Sequence, residues 1–506
     1  MASKSKLVKI GIWGFGKVGK AGLEYFAQKN CEIQVLDKRK ITQEEIACIT
    51  KNIPGDIYPP ITITEESKEK KEEFLEHNNI ILASPGIDLR KYKKYKHKFI
   101  TELDILQKEF CKPVISITGS VGKTTVTHIL SHVLSHALSH KLKNKNNKKR
   151  IWTGGNIGTP ILKLIQEKKN KNTINLAILE VSSYQLEYCK IFAPDIALWT
   201  NLYPNHLDRH GNLKNYFNAK LQIIKHQKEH QSALLPLEIF KYFKKFGYNL
   251  ESIKSKLYFF SKNKPEKEKI CELKKIKNIH ALFYLNKNKN IIKLLLQDMS
   301  EITIGSITPE APLTSFTFPE NILLILSALN IFNITQGLSD VKIKKIDIKK
   351  IKPPSIEHRI EKIRTINHID FYNDSKSTTM ASTTAAVKKL ANKPIILLLG
   401  GLSKGVDRTS LIKKIKKIKK SPIKIISFGA EAQILKNLCI QEKLPCKSCE
   451  TLEHAIKLGF AWAKPHEQVL LSPSGSSFDL FKNFEERGAQ FKNIVFQIEK
   501  KVNNIL

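Results

Sequence analysis

A chain of 506 residues is too long for one ordinary hydrophobic core, and at roughly 150 residues per domain it predicts three. Its 41% apolar and 26% charged shares exclude a wholly disordered chain, and no run of about 18 apolar residues is present to cross a membrane as a helix. Of the 85 basic residues only eight are Arg, so the formal charge of +38 reads as lysine spread over solvated surface. Such a field draws in anionic ligands, but it lacks the bidentate forks that read nucleic-acid bases. The N-terminal apolar run is broken by Lys9 and three glycines, which is not the pattern of a signal peptide, so a cytoplasmic protein is expected.

In chain order, LVKIGIWGFGKVGKAGLEYF predicts a strand, a glycine turn and a helix, followed by the strand EIQVLDKR. Gly14-x-Gly16-x-x-Gly19 with Asp37 about 20 residues on is the opening of a Rossmann-like unit and, read alone, the fingerprint of a dinucleotide-dependent dehydrogenase. A second apolar strand ends in Ser84-Pro85-Gly86, a turn whose amides suit a ligand, and KKYKHKFITELDILQKEFCK reads as passage into a new domain. The strand PVISITGS then enters the loop Thr118-Gly119-Ser120-Val121-Gly122-Lys123-Thr124-Thr125, after which a helix begins. Backbone amides of such a loop and a helix N-terminus suit phosphate oxygens. Lys123 would reach the β and γ phosphates and Thr124 would hold Mg²⁺, although Ile117 stands where the strict motif has its first glycine.

Downstream, Glu180 ends the strand LAILE, and His206, Asp208 and Arg209 follow the strand DIALWTNL, so both groups sit at strand carboxyl ends where α/β ligands bind. Residues about 250 to 300, rich in Lys and Asn with short strand-like pieces, read as a decorated surface segment. After Lys349–Pro354, strand and helix patterns alternate again (FYNDS, IILLLGG, IKIISFG, QVLLSPSG), completing three α/β blocks. Two clusters raise metal readings that are set against blander ones. His128, His132, His136 and His140 recur every four residues on one helical face, as a duplicated exposed repeat also would. Cys439, Cys446, Cys449 and His454 lack the paired spacing of a structural zinc site, and free thiols in a reducing compartment is the preferred reading of the eight cysteines.

Taken in order, the phosphate loop, Gly155-Asn156-Ile157-Gly158, Glu180-x-Ser182-Ser183, His206-x-Asp208-Arg209 and Ala219-Lys220 resemble the Mur ligases, the ATP-dependent amide-forming enzymes of peptidoglycan assembly. Asn373-Asp374-Ser375-Lys376-Ser377-Thr378, Gly400-Gly401-Leu402-Ser403-Lys404-Gly405, and Leu471-Ser472-Pro473 through Ser477-Phe478-Asp479 to Lys482-Asn483-Phe484-Glu485-x-Arg487-Gly488 resemble its D-glutamate-adding branch. The resemblance implies an α/β protein of three domains. These are a Rossmann-like UDP-substrate domain (1–100), a central P-loop ATPase-type domain (101–351) and a Rossmann-like C-terminal amino-acid domain (352–506). It further implies UDP-N-acetylmuramoyl-L-alanine, D-glutamate and ATP as substrates and Mg²⁺ as cofactor, in a monomer.

By the same resemblance Gly119, Ser120, Val121, Gly122, Lys123, Thr124, Thr125, Arg359, Asp374 and Lys376 bind ATP, while Gly14, Gly16, Gly19, Asp37, Ser84, Gly86 and Asn156 hold the UDP substrate. Thr378, Lys404, Ser477 and Phe484 line the D-glutamate pocket. Thr124 and Glu180 bind one Mg²⁺, and His206 with a carbamylated Lys220 binds a second; Lys123, Asn156, His206 and Lys220 form the catalytic set. The chain departs from the family at Lys17-Val18 in the first turn, at Val121 in place of an Asn, and at Glu320-Asn321-Ile322-Leu323-Leu324, where a second Asn is missing. Other readings are a folylpolyglutamate-synthetase-like ligase and a nucleotide-dependent binding module that no longer catalyses.

Overall fold

The computed structural model describes residues 7–51, 59–141, 150–171, 174–286, 290–306, 317, 319–335, 356–403, 405–418 and 421–504. Three sheets organise them. The first holds β1 (Val8–Trp13), β2 (Cys31–Asp37), β3 (Ile61–Glu65), β4 (Ile80–Ala83) and β5 (Phe99–Ile100), all parallel in the order β3-β2-β1-β4-β5. Its direction of winding reverses between β1 and β4, which opens a crevice at their carboxyl ends where Gly14 and Ser84 lie.

The second sheet holds β6 (Val114–Thr118), β7 (Arg150–Gly155), β8 (Ile174–Glu180), β9 (Ile196–Trp199), β10 (Ser232–Pro236), β11 (Lys256–Ser261), β12 (Ile279–Asn286), β13 (Ile291–Leu296) and β14 (Glu301–Ser306). Their order is β14-β13-β12-β11-β10-β9-β6-β8-β7, parallel up to β12 and antiparallel at β13 and β14. Between residues 250 and 300, β11, β12 and β13 are therefore part of this sheet and not a surface decoration. Phe259, Phe283 and Ile292 are buried in strands whose lysines fall at ends, turns and outward positions, so composition concealed a core contribution.

The third sheet holds β15 (Glu361–Ile366), β16 (Ile369–Asn373), β17 (Ile395–Gly400), β18 (Ile423–Phe428), β19 (Cys446–Cys449) and β20 (Gln468–Leu471), ordered β15-β16-β20-β17-β18-β19. Only the β15–β16 hairpin is antiparallel. The chain divides into two compact units. Met1–Leu202 with Lys214–Pro354 carries the first two sheets, and Tyr203–Leu213 with Ser355–Leu506 carries the third.

Within the first unit the helix Glu102–Glu109 joins the two sheets through buried carboxylates. Glu102 accepts hydrogen bonds from Gln185 Nε2 at 2.7 Å and the Ile161 N–H at 3.1 Å. Asp104 accepts from the Lys190 and Ile191 N–H groups at 2.8 and 3.0 Å. Burial pushes the Glu102 carboxyl up to about 7, so it is held protonated more readily than a surface carboxylate. Among the described residues no helix is long and apolar enough to cross a membrane, and all eight cysteines are free.

The helix Lys17–Phe26 packs against the first turn so closely that a Cβ on Gly19 would lie 2.0 Å from the Gly14 carbonyl oxygen, whereas one on Gly86 would meet nothing within 4 Å. Gly19→Ala should therefore destabilise the protein by about 1–3 kcal/mol in denaturant titration, while Gly86→Ala leaves the midpoint unchanged. Equal midpoints for the two variants would contradict this packing.

Candidate active site

The fully buried strand β6 delivers the phosphate loop, and Gly119 (φ 141°) and Gly122 (φ 85°) take backbone conformations that side chains disfavour. A Cβ on Gly119 would stand 1.9 Å from Thr200 Oγ1. The loop is held from the segment after β9. The Ser120 N–H donates to Asn201 O (3.1 Å), the Val121 N–H to Asn201 Oδ1 (3.0 Å), and Asn201 Nδ2 and Thr200 Oγ1 to the Val121 carbonyl (3.0 and 2.6 Å). Position 121 is thus fixed through its backbone, which any residue there would offer. Thr200 and Asn201 were not singled out from sequence; their only signal was their place at a strand's carboxyl end.

Glu180, 2% exposed at the end of β8, gathers the neighbouring expected residues. Thr124 Oγ1 donates to its Oε2 at 2.7 Å, Asn156 Nδ2 to its Oε1 at 2.8 Å, and the Asn156 N–H to its carbonyl at 2.8 Å. Lys123 Nζ donates to Gly119 O at 2.9 Å. Lys220 Nζ, on the helix Leu213–Lys225, reaches the same carbonyl at 2.9 Å and Thr118 Oγ1 at 3.3 Å. Lys220 is 1% exposed and its ammonium lies 4.7 Å from the centroid of the Tyr216 ring. Burial, reinforced by the Lys123 charge and opposed by Glu180, holds its amine well below the usual lysine range, so the neutral form is accessible.

Asn321 lies against the loop, its Oδ1 being 2.9 Å from where a Gly122 Cβ would sit. Leu324, in place of the missing second Asn, is buried in the apolar cluster of the second sheet. At the N-terminal turn the Gly14 N–H donates to Leu36 O (2.7 Å) and Ser84 Oγ to Gly14 O (2.8 Å). Asp37 accepts from the Phe15 N–H at 2.5 Å and the Arg39 N–H at 2.9 Å. A carboxylate engaged by two backbone donors braces the turn, which weakens the dehydrogenase reading that gave it a ribose. Gly16 caps the helix start, and Lys17, Lys20 and Lys163 line one pocket with Glu24 and Cys48, while Val18 lines another with Ser84 and Glu102.

In the C-terminal unit Asp374 follows β16 and is fully buried. It accepts from Ser377 Oγ, from Ser472 Oγ at 2.8 Å and from the Ile360 N–H at 3.2 Å, and it stands 3.9 Å from Arg359 Nη1. Burial raises its carboxyl pKa, against the pull of Arg359. Arg359 Nε has no hydrogen-bond partner among the described residues. Lys376 lies 4.9 Å from the Phe484 ring centroid, Thr378 is half-buried and Ser477 is buried. Arg487, quoted in sequence only as part of a motif, is fully buried and binds Ser375 and Gly475 through four hydrogen bonds. His206 belongs to the segment grouped with this unit and caps the one-turn helix Leu207–His210 in a left-handed conformation (φ 54°). Lys404 lies outside the described residues, as does the side chain of His140. Among the described residues no three His, Cys, Asp or Glu side chains converge as a metal set, at the histidine stripe or the cysteine cluster included.

Residues 117–301 match the Mur ligase middle domain. The chain is 29% identical over 503 residues to a UDP-N-acetylmuramoylalanine--D-glutamate ligase of Caldanaerobacter subterraneus, covering 97% of this chain and 99% of the relative. It is 30% identical over 440 residues to the ligase of that name from Thermoanaerobacter sp., covering 85% and 87%. In fold it is similar to the MurF ligase of Thermotoga maritima solved with ADP (TM-score 0.51, 15% identity, 99% and 97% coverage).

Because Asn201 alone supplies both a donor and an acceptor to Val121, Asn201→Ala should cost about 1–3 kcal/mol of stability and raise the Michaelis constant for the nucleotide. Unchanged nucleotide kinetics would show that the loop keeps its shape without this anchor.

Proposed function

The chain belongs to the Mur ligase family, and on that premise we propose that it joins D-glutamate to UDP-N-acetylmuramoyl-L-alanine with cleavage of ATP to ADP and phosphate. The observation that carries the reading is the convergence of Thr124 and Asn156 on buried Glu180 beside the phosphate loop, in a chain matched nearly end to end by D-glutamate ligases. An acceptor carboxylate oxygen attacks the γ phosphorus and ADP leaves. The amine of D-glutamate then attacks the acyl carbon, phosphate leaves from the tetrahedral intermediate, and the amine proton passes to a base, which leaves an amide.

Phosphoryl transfer depends on positioning and on neutralising charge. Loop amides and Lys123 are suited to the β and γ phosphates, and Asn156 to holding the acceptor. The hydroxyl of Thr124 and the carboxylate of Glu180 are hard oxygen donors that fit Mg²⁺, which when bound would offset phosphate charge; His206 and a carbamylated Lys220 are proposed for a second ion. Burial of the Lys220 amine supports that modification, since carbon dioxide reacts with the neutral form. Arg359, Asp374 and Lys376 are proposed to serve ATP. Thr378, Lys404, Ser477 and Phe484 are proposed for D-glutamate, and Gly14, Gly16, Gly19, Asp37, Ser84 and Gly86 for the UDP moiety. The boundaries 1–100, 101–351 and 352–506, a monomer and a cytoplasmic location complete the proposal.

Phosphate release from ATP that requires both the UDP-linked acceptor and D-glutamate tests it. Release with a pteroate acceptor and L-glutamate would move the chain to a folylpolyglutamate-type ligase, and release with neither pair would leave a binding module. Lys123→Ala should lower turnover by about a hundredfold or more with an unchanged melting temperature; near-normal turnover would remove Lys123 from the phosphate site. Lys220→Ala should be inactive and partly restored by added acetate or formate, which replaces the anionic oxygens of a carbamate. Restoration by methylamine and not by carboxylates would make Lys220 a plain cation.

A further inference from the structure

The loops after β17 and β20 are tied together just short of their proposed substrate contacts. Leu402 and Ser476 exchange both backbone hydrogen bonds, at 3.0 and 2.9 Å, and Ser477 follows directly on this bridge. Two buried arginines hold its base. Arg487 donates to the Gly475 carbonyl, and Arg408, 4% exposed, donates to the carbonyls of Gly400 at 3.2 Å and Gly401 at 2.6 Å. There is no slack, since a Cβ on Gly475 would stand 2.2 Å from Arg408 Nη2. Glu431 completes the arrangement. Its Oε2 lies 3.5 Å from Arg408 Nε, an ion-pair distance, and its Oε1 accepts the Ser403 N–H at 2.8 Å. One carboxylate thus joins the guanidinium gripping the start of the loop to the N–H just beyond the bridge. It also offsets a guanidinium charge whose burial alone would be costly.

We propose that Glu431, paired with Arg408, is a positioning unit for the amino-acid substrate, fixing the Leu402–Ser476 bridge and through it the Ser477 hydroxyl that receives a D-glutamate carboxylate; this rests on the function proposed above. Glu431 acts through the loop and is not itself a substrate contact. Kinetics of the full-length enzyme with each substrate varied in turn test the inference. Glu431→Ala should raise the Michaelis constant for D-glutamate about tenfold or more, with those for ATP and the UDP acceptor within about twofold, the loss expected when a charged anchor is removed. Glu431→Gln keeps an acceptor for Ser403 and should raise only the D-glutamate constant, by about threefold. An unchanged D-glutamate constant in Glu431→Ala, or a parallel rise in all three, overturns the inference. If Glu431→Ala does not fold, Glu431→Gln decides it by the same criterion of a selective D-glutamate effect. An unaltered enzyme that ignores D-glutamate overturns the substrate reading together with this inference, whereas a D-glutamate-dependent enzyme with insensitive variants overturns this inference alone.

Discussion

Two ammonium groups, Lys123 and Lys220, converge on the carbonyl oxygen of Gly119, and the buried carboxylate of Glu180 stands beside them. Burial of the Lys220 amine away from water, reinforced by the neighbouring Lys123 charge, favours its neutral form. Glu180 in turn is made tolerable by hydroxyl and amide donors from two different strand ends. A loop so charged would spread if it were free. It does not, because Thr200 and Asn201 fix the backbone of Val121 and glycine alone fits at position 119. The chemistry and the rigidity of the loop are consequences of one another.

The parallel sheets explain why such residues meet. Successive crossovers bring strand carboxyl ends to one edge, so Thr118, Glu180 and Thr200, distant in sequence, become neighbours at the ends of β6, β8 and just past β9. The third sheet repeats the device with Asn373, Gly400 and Leu471, and there buried Arg408, Arg487 and Asp374 join the Leu402–Ser476 backbone bridge as ties between loops. The three sheets thus offer three sets of strand carboxyl ends, and it is to these that the proposed substrate contacts belong.

Net charge has a different standing. Among the described residues the buried lysine and arginine side chains are few, Lys220, Arg209, Arg408 and Arg487, against a chain total of 85 such residues and a net charge of +38. Composition could not separate the two groups. It also misdirected the reading of residues 250–300, where lysine and asparagine content hid that the strand-like pieces carry core positions.

Local order of residues was enough to identify the α/β class, the phosphate loop, Glu180 as a strand-end carboxylate and the family, since these depend on short-range pattern: strand, small-residue turn, helix start. The roles of Asn201, Arg408, Glu431 and Arg487 were not legible. Motif or strand-end position marks Asn201 and Arg487 at most in outline, and what the four do depends on carbonyls and amides 7 to 112 residues away along the chain. At Asp37 and Asp374, which the resemblance marks as ligand contacts, tertiary structure adds internal donors that no local pattern announced. Sequence determined which chemical groups the protein has; packing decided which groups they meet, because most buried polar atoms are hydrogen-bonded and only long-range folding chooses the partner.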